Sequence, residues 1–252
     1  GGVPVEGWRK DTINGQPAWS APSPGGRFLQ LFEAKGNRMP RSRWPATGFA
    51  TLAALPPGTF ERPWNEGQDQ ATLDRAFLPK ANLSDVDVVV HHYWVTSRLP
   101  IQNLDPKTGE ARFGVKSVWR LTDDYTGKAA PYAIENAREA LNQAGQWYHD
   151  RTEGKMYVLG ATKPAVTVPR LETLLRVDGA NGVVMRDLEF RHTEHPLPAG
   201  SAGYYQAAFG APGALVVEGG KDVRLERCRF RNLGGYAVEI KGGSVGATVS
   251  AC

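Results

Sequence analysis

Cysteine is almost missing from this 252-residue chain, which has Cys228 and Cys252 and no others. Two thiols cannot build a disulfide framework, and their spacing does not suit zinc, so each reads as a small buried apolar side chain. No run of about eighteen apolar residues occurs, and the opening GGVPVEGW has neither the basic start nor the apolar middle of a secretion signal. No membrane partner is therefore expected, and the chain does not report its own address. A basic run is missing too: the formal charge of +4 comes from Arg and Lys scattered along the whole sequence. That pattern argues against a nucleic-acid partner and is compatible with an anionic sugar polymer. Long stretches of helical periodicity are scarce as well.

What the sequence does have is turn chemistry and apolar content. Glycine (29) and proline (18) are plentiful, and 41% of the residues are hydrophobic against 22% charged. Such a chain can bury a core and turns often, so strands are the expected building block and the expected class is all-β.

VVMRDLEFRHT (183–193) returns as VRLERCRFRNL (223–233), and the register holds without a gap from Leu174 to Thr193 against Ala214 to Leu233. A partial third copy, GATVSAC, puts Val249 and Cys252 in the places of Leu225 and Cys228, an offset of 24. Short alternating strands on coils of roughly two dozen residues, separated by Gly, Asn or Asp turns, are what a parallel β-helix needs. On that reading Val183, Met185, Leu188 and Phe190 point inward and match Val223, Leu225, Cys228 and Phe230. Cys228 and Cys252 stack inside the coil, while Arg186, Glu189 and Arg191 face out, as do Glu226, Arg229 and Arg231. A pair of hairpins would also alternate, but the blocks run in one direction and no Asn-Gly type turn joins them. The wider first offset places an insertion at EHPLPAGSAGYYQAAFGAPG (194–213), a loop too long and too aromatic for a simple connection.

Before Leu171 the coil pattern is absent. Strands are expected over 27–34, 85–95, 111–119 and 146–159, the last a hairpin around Thr152-Glu153-Gly154, and a helix over 133–141 (AIENAREAL).

GGVPVEGWR, LFEAKGNRMPRSRWP, YAIENAREALNQAGQWYHDRTEGKMYVL and NGVVMRDLEFRHT together resemble bacterial right-handed parallel β-helix proteins of the pectate-lyase-like kind. The resemblance is narrower to the glycoside-hydrolase-type members, β-xylosidase-like or fucosidase/xylanase-like. It implies an opening-coil tail at 1–7, a large inserted β-sandwich-like domain at 8–168, and β-helix coils over 169–252. It further implies that coils continue past Cys252, that the substrate is a plant or algal polysaccharide or oligosaccharide, and that the protein works in an extracellular or periplasmic setting. No cofactor is expected.

Glycoside hydrolysis needs two carboxyl groups, about 5–5.5 Å apart for retention or roughly 6.5–9.5 Å for inversion. Outward candidates are Asp178, Glu189, Glu194, Glu218, Glu226 and Glu239, and none forms an evident pair on matching positions. Asp178 and Glu218 align but precede turn glycines, so they read as solvated turn acids. The resemblance places the catalytic acids on later coils, so the catalytic residues are unknown and 1–252 is expected to be inactive alone. The groove edge is expected at His192, Glu194, Tyr204, Tyr205 and Gln206, which offer an imidazole, a carboxylate, stacking faces and an amide. The alternative is a loop packed on itself. The resemblance adds Arg43 and Trp44 from the sandwich side, with structural packing as their alternative. His91 and His92 point to opposite faces of a strand, and His192 and His195 have one nearby acid, so no metal site is expected. A polysaccharide lyase holding uronates on Arg191 and Arg231, and a noncatalytic glycan-binding scaffold, are the competing functions.

Overall fold

The computed structural model describes residues 1–123, 125–195 and 197–252, and among them there is no α-helix: strands are joined by turns and four short 3-10 turns. Among the described residues no helix is long and apolar enough to cross a membrane. The protein is all-β.

Residues 2–169 form antiparallel sheets. The largest has seven strands: Arg43–Trp44, Pro131–Glu135, Asp87–His92, Val95–Leu104, Glu110–Phe113 and Gln70–Thr72 in spatial order, with Ala50–Thr51 added alongside Pro131–Glu135. Its centre follows from the run DVDVVV, because Val88 and Val90 are fully buried with Leu99, Ile101, Tyr132 and Ile134 in one apolar cluster. A four-stranded sheet pairs Trp147–Asp150, Lys155–Leu159, Gln16–Pro22 and Arg9–Ile13. The expected hairpin over 146–159 is its centre, with Trp147 opposite Val158 and Asp150 opposite Lys155. A small third sheet sets Gly2–Pro4 antiparallel to Val166–Pro169, which also pairs with Phe32–Glu33. Trp8, Phe28, Leu31, Trp147 and Val168 form the core beneath these two sheets.

From Leu175 onward every ladder is parallel. Leu175–Asp178, Gly213–Glu218 and Tyr236–Lys241 form one, and Val184–Arg186, Arg224–Glu226 and Thr248–Ser250 a second. Glu189–Arg191 and Arg229–Arg231 form a third. The pairings reproduce the sequence offsets, with Met185 opposite Leu225 and Leu225 opposite Val249. The corners repeat as well. Asp187, Arg227 and Ala251 stand at equivalent places with φ of 57°, 51° and 53°, and His192 and Asn232 share φ of 60° and 53°. Non-glycine residues rarely adopt this left-handed conformation, so its return at matching positions shows one bend made repeatedly. Val177, Met185, Phe190, Leu215, Val223, Leu225 and Cys228 form the core between the ladders.

Outward charges meet across the rungs: Arg186 pairs with Glu226 at 2.7 Å and Arg227 with Asp187 at 2.8 Å. The Cys228 amide donates to Cys252 Sγ at 3.3 Å, and both thiols are free. Two inward assignments need correction. Leu188, which follows the left-handed bend at Asp187, is 45% exposed although Met185 and Phe190 on the same rung are buried, and Cys252 is exposed on a rung paired on one side only among the described residues.

The helix expected over 133–141 is instead the strand Pro131–Glu135 followed by a 3-10 turn, Arg138–Ala140. Pairing with Asp87–His92 on one side and Arg43–Trp44 on the other buries Tyr132, Ala133 and Ile134, and this outweighs helix propensity. Asn136, with φ of 60°, then locks the exit, its amide donating to the carbonyls of Asp85 at 3.0 Å and His149 at 2.8 Å. The strand expected over 27–34 shrinks to Phe32–Glu33, in part because the Leu29 amide is taken by a side chain, Glu194, rather than a ladder partner. The one over 111–119 ends at Phe113, and the one over 85–95 becomes Asp87–His92 with a turn at Tyr93 and Trp94.

Candidate functional site

Where the antiparallel and parallel regions meet, the segment 194–213 leaves the first parallel rung and lies against the strand Val95–Leu104. Pro196, within it, lies outside the described residues. The Arg98 amide donates to the Ala202 carbonyl at 2.7 Å, and a Cβ on Gly203 would sit 2.6 Å from the Thr96 carbonyl oxygen. Glycine is what permits that approach.

The junction encloses a cleft of about 360 Å³, lined by Leu29, Gln30, Arg38, Arg41, Arg98, Glu135, His195 and Gly234 among others. Behind it Asp87, fully buried, is gripped by Arg27, by Arg41 Nη1 at 2.9 Å and by Arg98 Nη1 at 3.2 Å. Burial opposes its charge, but the three guanidiniums outweigh burial and hold its pKa at about 2. Glu135 bridges the same arginines, 2.7 Å from Arg98 and 3.5 Å from Arg41, and they keep it ionised against the cost of burial. His195 stays neutral because burial depresses its pKa, and its Nδ1 lies 2.7 Å from the Gly234 carbonyl.

Two polar atoms of the lining are left over. Arg41 Nε and Gln30 Oε1 are buried without a partner among the described residues, and both side chains belong to residues more than nine-tenths buried. One is a donor and the other an acceptor. An unpaired buried polar atom costs about 1–3 kcal/mol, so these two, in residues that line the cleft, call for a partner that the chain itself does not supply, a water or a ligand group.

The residues expected at a groove are dispersed around this cleft. Glu194 borders it and acts as an anchor: Oε2 accepts from the Leu29 amide at 3.2 Å and Oε1 from the His195 amide at 2.7 Å. Burial raises its pKa to about 7 despite those bonds. His192 is buried with its ring stacked on Phe32 at 4.4 Å, and its Nε2 has no partner among the described residues. Tyr204 is half-buried and Gln206 is exposed at the start of a 3-10 turn. Tyr205 is 57% exposed and rests on Trp119 at 5.1 Å, at the end of an aromatic surface formed with Trp64, Tyr93 and Trp94. Arg43 stands opposite Glu135 and Trp44 opposite Ile134 in the sheet, though neither Arg43 nor Trp44 is among the lining residues. Arg43 donates to the carbonyls of Pro45 and Gly48 and covers Phe49, while Trp44 packs on the large core beside Phe77. His91 and His92 do diverge: His91 meets the ring of Phe49, and His92 bonds Arg120 O and Ser97 Oγ.

Sequence reasoning missed Gln30, Arg38, Arg41, Arg98 and Glu135. The available signal was charge in unlikely company: Asp87 amid valines demands buried cations, and RMPRSR supplies arginines at one short spacing.

No family model matches the chain, and no curated protein matches it. A solved structure described as "Glycoside hydrolase" is similar with a TM-score of 0.65 and 21% identity, covering 93% of this chain and 48% of that one. The chain therefore has a glycoside-hydrolase-like fold and spans about half the length of that structure.

Proposed function

We propose that this chain is the N-terminal part of a carbohydrate-active enzyme, a glycoside hydrolase on plant or algal polysaccharide, and that the cleft at the junction binds part of the sugar chain. In this reading the parallel ladders are the first coils of a right-handed β-helix, with residues 1–7 its opening tail, 8–168 an inserted sandwich and 169–252 the coils. The protein acts outside the cytoplasm, where such polymers lie. The observation that carries the reading is that two residues lining one cleft each keep a buried polar atom without a partner among the described residues, the donor Arg41 Nε and the acceptor Gln30 Oε1. A sugar hydroxyl both donates and accepts, so it meets such a pair where an apolar ligand or a bare ion does not. The glycoside-hydrolase-like fold supports the same conclusion.

His192 and Glu194 then act from behind the cleft, by holding its wall, and Tyr204, Tyr205 and Gln206 offer contacts along the loop. Arg43 and Trp44 form the short strand that follows Arg41 and pair it with Ile134 and Glu135. Ion pairs absorb Glu135, and backbone amides occupy both oxygens of Glu194; the resemblance to β-helix glycoside hydrolases is what assigns hydrolysis to acids on further coils in this proposal.

Calorimetric titration of the 252-residue chain with a panel of neutral and acidic oligosaccharides tests this. The expected result is saturable binding, weakened about tenfold in Gln30→Ala, without release of reducing sugar. Failure to bind any member of the panel overturns the reading. Binding without turnover by a longer protein carrying further coils would mark a scaffold instead.

A further inference from the structure

The charges around the cleft do not balance. Arg27, Arg38, Arg41 and Arg98 gather there, and the carboxylates that answer them are Asp87 and Glu135, an excess of two positive charges. Asp87 is fully buried, so its charge is spent inward on three guanidiniums. Three arginines line the cleft: Arg38 is exposed, while Arg41 and Arg98 are largely buried and reach its wall with Nη1 already bonded to Asp87 and close to Glu135. Glu194 beside it holds its proton to about neutral pH, and the neutral His195 adds no charge.

Arg38 is the least explained by the fold. It is exposed, donates once to the Leu233 carbonyl at 3.3 Å, and covers the Phe32 ring at 5.8 Å. An arginine that does so little for packing, set at the mouth of a cleft that Arg41 and Arg98 also line, keeps most of its guanidinium donors free for a ligand. An oxyanion suits them. Guanidiniums present planar forks that match carboxylate and sulfate oxygens, and the partly desolvated setting strengthens each bond.

Resting on the sugar-site reading above, we infer that the cleft selects an acidic sugar residue, one whose carboxylate or sulfate oxygens are held by Arg38 together with Arg41 and Arg98. Gln30 and the remaining N–H of Arg41 take neighbouring hydroxyls, which separates this ligand from a free inorganic ion.

The test is calorimetric titration with three oligosaccharides of equal length: an oligogalacturonate, a sulfated galactan oligosaccharide and a neutral xylo-oligosaccharide, each at low and at moderate salt. At least one acidic ligand is expected to bind about tenfold more tightly than the neutral one, with affinity falling as salt rises. The tighter of the two acidic arms identifies carboxylate or sulfate as the group. Arg38→Gln removes the preference without unfolding the chain, because Arg38 is exposed, whereas Arg62→Gln, in a surface pair with Glu66, leaves it unchanged. Equal affinity for neutral and acidic ligands overturns the acidic selection and leaves the sugar site standing. No binding in any arm overturns the sugar site itself, and binding of inorganic sulfate as tight as the sulfated oligosaccharide overturns the selection for a sugar.

Discussion

The ring of Phe190 lies over that of Phe230, with centroids 5.1 Å apart and planes 10° from parallel, on strands that run the same way. Phe190 is 7% exposed and seals the inner side of the first rung, whereas Phe230 is half-buried. Phe190→Ala should cost about 3 kcal/mol of stability, the usual range for emptying an aromatic site, and Phe230→Ala clearly less. Val184→Ala, on the exposed side of the preceding strand of the same rung, should change it by less than about 0.5 kcal/mol. Urea unfolding of the three variants checks the order.

Asp87 holds three arginines in place, so its removal leaves cations facing one another in a buried setting. Asp87→Asn should destabilise the protein by roughly 3–5 kcal/mol. Its folded pKa, about 2, lies below the ordinary 3.8. The stabilisation is therefore complete above pH 3.8 and is lost as pH falls towards 2. Thermal midpoints of wild type and variant should converge over that window and stay apart above it; parallel curves would show that Asp87 is not the titrating group.

Glu194 runs the other way. Burial raises its pKa from 4.5 to about 7, so its favourable contribution is full below pH 4.5, declines from there to about 7, and is gone above. Glu194→Gln removes the titration and keeps an acceptor for one of the Leu29 and His195 amides, so it lowers stability by an amount that does not change with pH. Relative to this variant, the wild type should lose stability between pH 4.5 and 7, by about 3 kcal/mol at most. Thermal unfolding across pH 4 to 8 reads the difference directly.

The cleft wall depends on Gly234, whose carbonyl meets His195 Nδ1 and whose amide donates to Thr193 Oγ1 at 2.8 Å. A Cβ there would collide with the Glu194 carbonyl, a backbone group that cannot turn aside. Gly234→Ala should therefore lower the melting temperature by several degrees and abolish oligosaccharide binding. Gly234 itself is not left-handed, so its effect comes from the collision; Gly154→Ala, at φ 64° where a Cβ meets nothing within 4 Å, shows by contrast what left-handed strain alone costs and leaves oligosaccharide binding unchanged.

The repeat was legible because parallel pairing stacks like on like, so an offset in the letters became an offset in the ladder: Leu225 stands beside Met185 on one side and Val249 on the other. The Trp147–Leu159 hairpin was legible because its turn is local. AIENAREAL was not, since its burial comes from the strands Asp87–His92 and Arg43–Trp44, distant in sequence and silent within the segment. The cleft suffered from the same distance. Its arginines lie at 38, 41 and 98, its carboxylate at 135 and its histidine at 195, and only the assembled sheets bring them to one place. His192 and Glu194 were picked out as groove contacts from their position next to the long loop; folding turned both inward to hold its base.

Tyr205 separates the two accounts of that loop. If the segment merely packs on itself, the tyrosine should be covered by its own loop; instead it is 57% exposed and meets Trp119 from another part of the chain. Trp64 and Trp94, 46% and 51% exposed, extend the aromatic surface beyond it. Aromatic faces of this kind lie against the C–H faces of sugar rings, and each contact adds about 0.5–1.5 kcal/mol. Tyr205→Ala should therefore weaken oligosaccharide binding about threefold to tenfold, with Tyr205→Phe near wild type, because the ring and not the hydroxyl makes the contact. Both affinities come from the same titration. An unchanged affinity in Tyr205→Ala, with the fold intact by circular dichroism, would assign the aromatic surface to holding the loop against Trp119 and leave sugar contact to the arginine cleft alone.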